Sequence, residues 1–126
     1  MRKLTLIFLL LTIASFSNAQ RIYVEKTDDG YEQPILDKLL SSNYHITFKR
    51  DSADYVIECI ISKSGMWRAK GSILLINNKS GDLIAKSKEA NGQTTAFNGY
   101  GNPKMLTMKK IANDYLLDLL KKINSN

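Results

Sequence analysis

One thiol and one imidazole are the side chains of this sequence best suited to nucleophilic chemistry. Cys59 is the only cysteine and His45 the only histidine, so a Cys–His pair would have to use both of them. Neither lies in the glycine-rich turn that presents a nucleophile in many hydrolases. Cys59 alternates with apolar residues, which favours a small buried hydrophobic side chain over a reactive thiol. We therefore expect no catalytic residue, and a small envelope hydrolase or thiol enzyme using Cys59 and His45 is the alternative.

Metal and cofactor sites also have few candidate ligands. One histidine and one cysteine supply at most two typical zinc ligands, and Asp51 and Asp54 lack the spacing and the glycine of a calcium loop. Two glycine-containing segments, residues 28–30 and 98–101, are candidate ligand loops, but no phosphate-loop lysine–serine pair accompanies them. We expect ordinary turns, no metal and no cofactor. A small-ligand carrier is a further alternative, and it would need a closed apolar pocket between the C-terminal helix and the sheet.

Three strand-like runs at the centre of the chain would position these residues. In the first run Ile57 and Cys59 belong to an apolar set of one parity, which is the period of a pleated strand. The second run is apolar on both sides, as expected of a central strand. A turn with Gly81, which tolerates positive φ, predicts a hairpin before the third run. The predicted strands are residues 54–62, 71–77 and 83–89.

The flanking segments add a crossover unit and a long helix. A strand over 21–26, a helix over 31–41 and a strand over 44–48 predict a right-handed crossover with parallel strands. Residues 62–70 are expected to join the first two central strands, and residues 94–97 to be briefly extended. An apolar stripe after Asn102 and Pro103, a conventional cap and first residue, predicts a helix over 103–123.

The fold class that follows is α+β in a single domain, residues 20–126. The predicted sheet is mixed and four- or five-stranded, in the order β-α-β-β-β-β-α, with two helices packed on one face. Residues 1–19 have a basic start, a short apolar core and a small-residue cleavage site, which predict a secretory signal peptide cut after Ala19. We expect an exported, soluble product, periplasmic or secreted, with no transmembrane segment after cleavage.

The net charge of the chain indicates which classes of partner it could bind. The formal net charge of +6 falls by two when Arg2 and Lys3 leave with the signal peptide, and the remaining lysines are scattered. No basic stripe with interleaved aromatic residues indicates nucleic acid. We expect another envelope protein as the partner, and the oligomeric state is left open.

Two surfaces are candidates for contact with that partner. If both helices cover the Ile57 side, the opposite side carries a mixed apolar and charged set of the kind used for docking. The predicted partner-binding face consists of Val56, Glu58, Ile60, Ile84, Lys86 and Lys88. Trp67 and Tyr100 are a possible aromatic contact. The alternatives are a loop or the N-terminal strand covering the face, and a packed tryptophan at a strand start.

Short motifs in residues 51–58, 71–77 and 79–85 resemble a pattern of small bacterial envelope domains: ADYV before a strand, then a serine-glycine turn and a further strand. Such domains occur in penicillin-binding-protein activator lipoproteins, the periplasmic part of the curli secretion channel and the amino-terminal domain of the Tol translocation protein. The resemblance implies a non-enzymatic domain that docks onto other proteins. Two departures are the lack of a lipid-acceptor cysteine after the signal peptide and of an aromatic residue in 84–86, so no site residues are transferred.

Overall fold

A computed structural model gives the structure of the protein and describes residues 20–94 and 102–124. The predicted signal peptide, residues 1–19, lies outside the described residues. The elements are β1 (Arg21–Val24), α1 (Gln33–Ser41), β2 (His45–Ile46), a 3₁₀ turn (Arg50–Ser52), β3 (Tyr55–Gly65), β4 (Arg68–Asn77), β5 (Leu83–Lys86), β6 (Ala90–Gln93), α2 (Pro103–Asp114) and α3 (Leu116–Asn124). The predicted single α+β domain with a mixed sheet is confirmed. Among the described residues, no helix has the length and apolarity needed to cross a bilayer.

The sheet has the strand order β2-β1-β3-β4-β5. Strand β6 also pairs with β4, at its N-terminal end, on the edge that β5 occupies further along. Strand β1 is parallel to both β2 and β3, so the parallel pairing predicted for the first and second strands is confirmed. Strand β4 is antiparallel to β3, β5 and β6. It is therefore the strand on which most of the sheet is assembled.

The third central run is divided by an irregularity that the sequence pattern did not predict. Strand β5 pairs with the C-terminal half of β4 and ends at Lys86, and β6 pairs with Arg68–Gly71 of the same edge. Between them the Ser87 hydroxyl accepts a hydrogen bond from Ile73 N–H at 2.9 Å. A side-chain oxygen thus replaces a backbone acceptor between the two strands. The strand over 90–93 was missed, and the extended piece predicted over 94–97 lies almost wholly outside the described residues.

The segment over 62–70 joins the first two central strands, as predicted, but most of it belongs to the strands themselves. Strand β3 continues to Gly65 and β4 begins at Arg68, so only Met66 and Trp67 connect them. Lys63 still pairs with Ala69 across the hairpin. Strand β4 extends this far because its N-terminal end is hydrogen-bonded on both edges, to β3 on one edge and to β6 on the other.

The C-terminal helix has the predicted extent, but it is broken at Tyr115, which departs from helical geometry (φ −122°, ψ −23°). The start is as predicted: Pro103 follows Asn102, whose side-chain oxygen accepts from Lys104 N–H at 2.9 Å. The break allows two directions of packing, because α2 contacts β4 and β6 whereas α3 contacts β5.

All three α-helices contribute to one hydrophobic core on one face of the sheet. The buried members from the strands alternate along β1, β3 and β4, as the parity of the sequence predicted. The fully buried side chains that form its centre are Ile22, Ile35, Leu39, Ile57, Ile73, Leu75, Met108, Ile111, Leu116 and Leu120.

Helix α2 approaches the sheet most closely at Thr107, which is fully buried. Its hydroxyl is 2.8 Å from the Pro103 carbonyl and 3.2 Å from the Ala69 carbonyl. Gly92 of β6 lies directly beneath it: a Cβ there would be 2.4 Å from Thr107 Oγ1 and 2.6 Å from the Pro103 oxygen. Gly71 lies under the Thr107 methyl group: a Cβ there would be 3.3 Å from Thr107 Cγ2 and 2.8 Å from the Ile60 carbonyl oxygen. Small residues on β4 and β6 thus permit this distance between helix and sheet.

Gly92→Ala should lower the free energy of unfolding by about 1–3 kcal/mol, because the added methyl group forces α2 away from β6. Urea unfolding followed by circular dichroism measures this. Gly65→Ala is the matched control, since its Cβ would meet only Arg68 Cβ at an ordinary 3.8 Å. Equal stability of the two variants would contradict the close packing of α2.

Candidate functional site

The only thiol and the only imidazole are not brought together. His45 pairs with Arg21 on β2, whereas Cys59 lies on β3, and β1 separates the two strands. Cys59 packs against the core, as do the strand residues of its parity, while His45 is exposed and alternates with core-packed Ile46. The two side chains therefore belong to opposite faces of the sheet. This geometry gives no support to the Cys–His pair considered from the sequence.

The Cys59 thiol is held in its protonated form. Burial, with smaller contributions from the Glu32 and Glu58 carboxylates, raises its pKa to about 12. A thiolate is the nucleophilic form of cysteine, so this environment suppresses reactivity. Cys59 also lines a polar recess of about 230 Å³, together with Lys26, Thr27, Asp28, Asp29, Tyr31, Ile61 and Lys104. Lys104 Nζ lies 5.5 Å from the centroid of the Tyr31 ring there.

The acidic candidates make contacts within the fold. Asp54 accepts a hydrogen bond from Arg21 N–H at 2.9 Å and lies 3.8 Å from Lys79 Nζ. Asp51 is exposed on the 3₁₀ turn. Within residues 20–94 and 102–124, no three His, Cys, Asp or Glu side chains converge as metal ligands would. Asp54 therefore joins β1 to the β4–β5 turn.

Only one of the two glycine-containing candidate loops lies within the described residues. Residues 28–30 form a turn in which Gly30 has φ +74°, as expected of an ordinary loop. Thr27 anchors this turn, because its N–H and hydroxyl both donate to Glu32 Oε2, at 3.3 and 2.9 Å. Residues 98–101 lie outside the described residues.

The sheet face opposite the helices carries apolar side chains that are not members of the hydrophobic core. Directly paired residues share a face, so the register groups Val56 with Ile76 and Leu83 in one row. The adjacent row contains Glu58, Leu74 and Lys86. We call this surface the open face and define it by Tyr23, Glu25, Val56, Glu58, Ile60, Leu74, Ile76, Leu83 and Lys86. Ile60 is 47% exposed and Leu83 is 57% exposed.

Arg50 forms the charged rim of the open face on the β1 side. Its guanidinium hydrogen-bonds the Glu25 carboxylate and lies 3.9 Å from Glu58 Oε1. Exposed ion pairs of this kind contribute little to stability. On the other side of the face, Lys86 is exposed and pairs across the strands with Leu74. The open face therefore has an apolar centre between a mixed-charge rim and a cationic rim.

Not every residue of the predicted partner-binding face belongs to the open face. Glu58, Ile60 and Lys86 do. Val56 belongs to it by register but is fully buried, so the chain itself covers this part of the face, where Arg50 reaches Glu25 and Glu58. Ile84 is a correction: it packs against the hydrophobic core, because the bulge beside it shifts the alternation between Leu83 and Ala85. Lys88 lies in the exposed link between β5 and β6.

The sequence reading missed Leu74, Ile76 and Leu83 of the open face. Their positions depend on the register of three antiparallel strands, which the local pattern does not specify.

Only one of the two aromatic candidates lies within the described residues. Trp67 is 61% exposed in the β3–β4 turn, so the alternative of a packed tryptophan is wrong. Tyr100 lies outside the described residues.

Comparison with known proteins gives similarity at the level of the fold. No protein-family model matches this chain, and no curated protein sequence matches it. The structure is similar to a candidate lipoprotein from Caulobacter crescentus, at TM-score 0.54 and 12% identity over 83% of this chain and 92% of that one. It is also similar to a minor lipoprotein from Acinetobacter baumannii, at TM-score 0.55 and 11% identity over 85% and 93% of the two chains.

The shared feature is the fold. Both neighbours are described as bacterial lipoproteins, in keeping with the resemblance to small envelope domains. Neither is described as belonging to one of the three groups that the sequence motifs resemble, so that finer resemblance stays a prediction.

Alkylation of Cys59 by iodoacetamide at pH 8 should be at least about 100-fold slower in the folded chain than in urea. A pKa of about 12 leaves a thiolate fraction on the order of one in 10⁴, whereas a free cysteine with pKa about 8.5 is partly ionised. The folded rate should still be rising with pH at about pH 10, while the unfolded rate levels off above about 9. Mass spectrometry of the modified chain measures both. Comparable rates at pH 8 would contradict the protected thiol.

Proposed function

We propose that the chain is an exported envelope protein that binds another envelope protein through the open face and catalyses no reaction. The observation that carries this proposal is the asymmetry of the sheet. One face is closed by three helices, and the other presents exposed Ile60 and Leu83 around a buried floor at Val56. A protein-binding surface typically has this arrangement of an apolar centre and a polar rim.

The envelope location is supported by two independent features. Residues 1–19 have the composition of a secretory signal peptide. The fold is similar to that of two bacterial lipoproteins. A non-catalytic role is favoured by the distance between the nucleophilic candidates, since Cys59 and His45 belong to opposite faces, and by the raised pKa of the thiol.

The chemistry of the open face specifies the partner surface. An apolar strip on the partner would cover Leu74, Ile76 and Leu83, and an acidic group would lie opposite Lys86 to compensate its charge. Arg50 is already paired with two carboxylates. The partner therefore needs no further acid on that rim, and a neutral polar group fits there better.

Site-specific cross-linking tests the proposal in intact cells. A photoreactive side chain at Leu83 should cross-link one defined envelope protein, because this position is an exposed apolar residue of the open face on the edge strand β5. The same group at Asn113, which is exposed on α2, is the control for random contact. Equal yields from the two positions, or no product from Leu83, would contradict binding through the open face.

Charge reversal tests the contribution of the rim to that complex. Lys86→Glu should weaken binding of the cross-linked partner at least about tenfold, since a charge that faces an acid in an interface becomes repulsive. Lys109→Glu on α2 makes the same change of charge on the closed side and should leave the affinity unchanged. Titration of the purified partner against both variants measures this, and equal affinities would exclude Lys86 from the interface.

A further inference from the structure

The apex of the β3–β4 hairpin exposes two large apolar side chains next to each other. Met66 is 79% exposed and Trp67 is 61% exposed. They are the only two residues between the paired strands. A large apolar pair at the end of a hairpin exposes an area that would be more stable out of water.

The backbone beneath this apex is well held. Lys63 pairs with Ala69, and Gly65 with Arg68. The Trp67 carbonyl accepts a hydrogen bond from Thr94 N–H at 2.9 Å, which joins the apex to the end of β6. Among the described residues, β1 pairs with β3 only as far as Ile57, so the hairpin extends past the end of β1. These hydrogen bonds hold the backbone of the apolar apex in place.

The charged side chains of the hairpin tip itself all have one sign. Residues 62–70 contain Lys63, Arg68 and Lys70 and no acidic residue. All three cations are exposed, and none of them takes part in an ion pair found within the described part of the chain. Because Lys63 alternates with Ser62 and Lys70 pairs with Ser62, the two lysines belong to opposite faces of the hairpin. The apolar apex is thus flanked by cations on both sides.

We infer that the hairpin tip, residues 62–70, docks onto an anionic lipid surface and inserts Met66 and Trp67 at the level of the headgroups. Tryptophan favours this level because its ring is apolar and its N–H is polar. Lysine and arginine side chains extend from such a position toward lipid phosphates and keep their stems in the apolar layer. The charge of the tip is complementary to that of an anionic membrane, which attracts each nearby cation.

Charge complementarity favours a membrane over a second protein as the occupant. A protein surface matching this tip would need an apolar pocket ringed by acids on two sides, whereas an anionic bilayer supplies both features at every position. One tip with three cations gives weak, reversible binding, as does a single short anchor. The inference rests on residues other than those of the open face, although the Ser62–Lys70 pair lies in the row next to Ile60 on that side of the sheet.

Trp67 is the only tryptophan, so its fluorescence reports on the tip alone. With the purified mature chain, vesicles of phosphatidylglycerol and phosphatidylethanolamine should shift the emission to the blue, and brominated acyl chains in those vesicles should quench it. Vesicles of phosphatidylcholine alone should do neither. An unchanged spectrum with anionic vesicles would overturn the inference, as would a blue shift that depends on protein concentration without lipid, because that would indicate contact between copies of the chain.

Substitutions separate the tip from general attraction of a basic protein. The triple variant Lys63→Gln, Arg68→Gln, Lys70→Gln should lose at least about tenfold in vesicle affinity, and Met66→Ser should reduce the blue shift. The charge-matched control is Lys49→Gln, Lys88→Gln, Lys109→Gln, and Phe48→Ser removes an equally exposed aromatic side chain elsewhere. Equal losses in the tip and control variants would overturn the inference.

Discussion

The close approach of α2 to β4 and β6 is the constraint on which the rest of this structure depends. Thr107 fits against the sheet only because Gly71 and Gly92 have no side chain in its way. Its hydroxyl is satisfied by carbonyls of Pro103 and Ala69, so a polar group can be fully buried at the contact. This contact fixes the helix over the N-terminal half of β4. The break at Tyr115 then directs α3 to β5.

A sheet closed on one face in this way carries a second set of side chains on its other face. The core draws on the Ile57 and Ile73 side of the strands, and the alternating residues of the same strands form the open face. Under the proposed function, stability and binding therefore depend on different side chains of the same elements. The hairpin tip is a third surface, with its own apolar pair and its own charge. A change in one surface should leave the others intact when it spares the core.

Much of the fold could be predicted from the sequence because its strongest signals are local. Alternation in residues 54–62 identified β3 and its apolar side, and Asn102 with Pro103 marked the start of α2. What was missed depends on pairing between distant segments. The extension of β3 to Gly65 and the strand over 90–93 both depend on hydrogen bonds along the edges of β4, and residues such as Asn91 and Gly92 carry no strand signal of their own.

The candidate site was predictable only in part, for the same reason. Parity placed Glu58 and Ile60 opposite the core-facing residues of β3, and the structure agrees. Ile84 was assigned to the same surface by parity, but the bulge next to it turns it toward the core. Leu74 and Leu83 joined the open face through register, which one strand's sequence cannot specify. The separation of His45 from Cys59 followed from strand order, with β1 inserted between them.

The most direct measurement of the central claim, that helices close one face and leave the other open, is solvent paramagnetic relaxation of methyl groups in the isolated chain. A soluble gadolinium chelate should strongly broaden the methyl signals of Ile60 and Leu83, and it should leave those of Ile57 and Ile73 sharp, because the latter are fully buried. Protection of Ile60 and Leu83 to the level of Ile73 would contradict the account, since it would mean that the open face is covered within the chain itself.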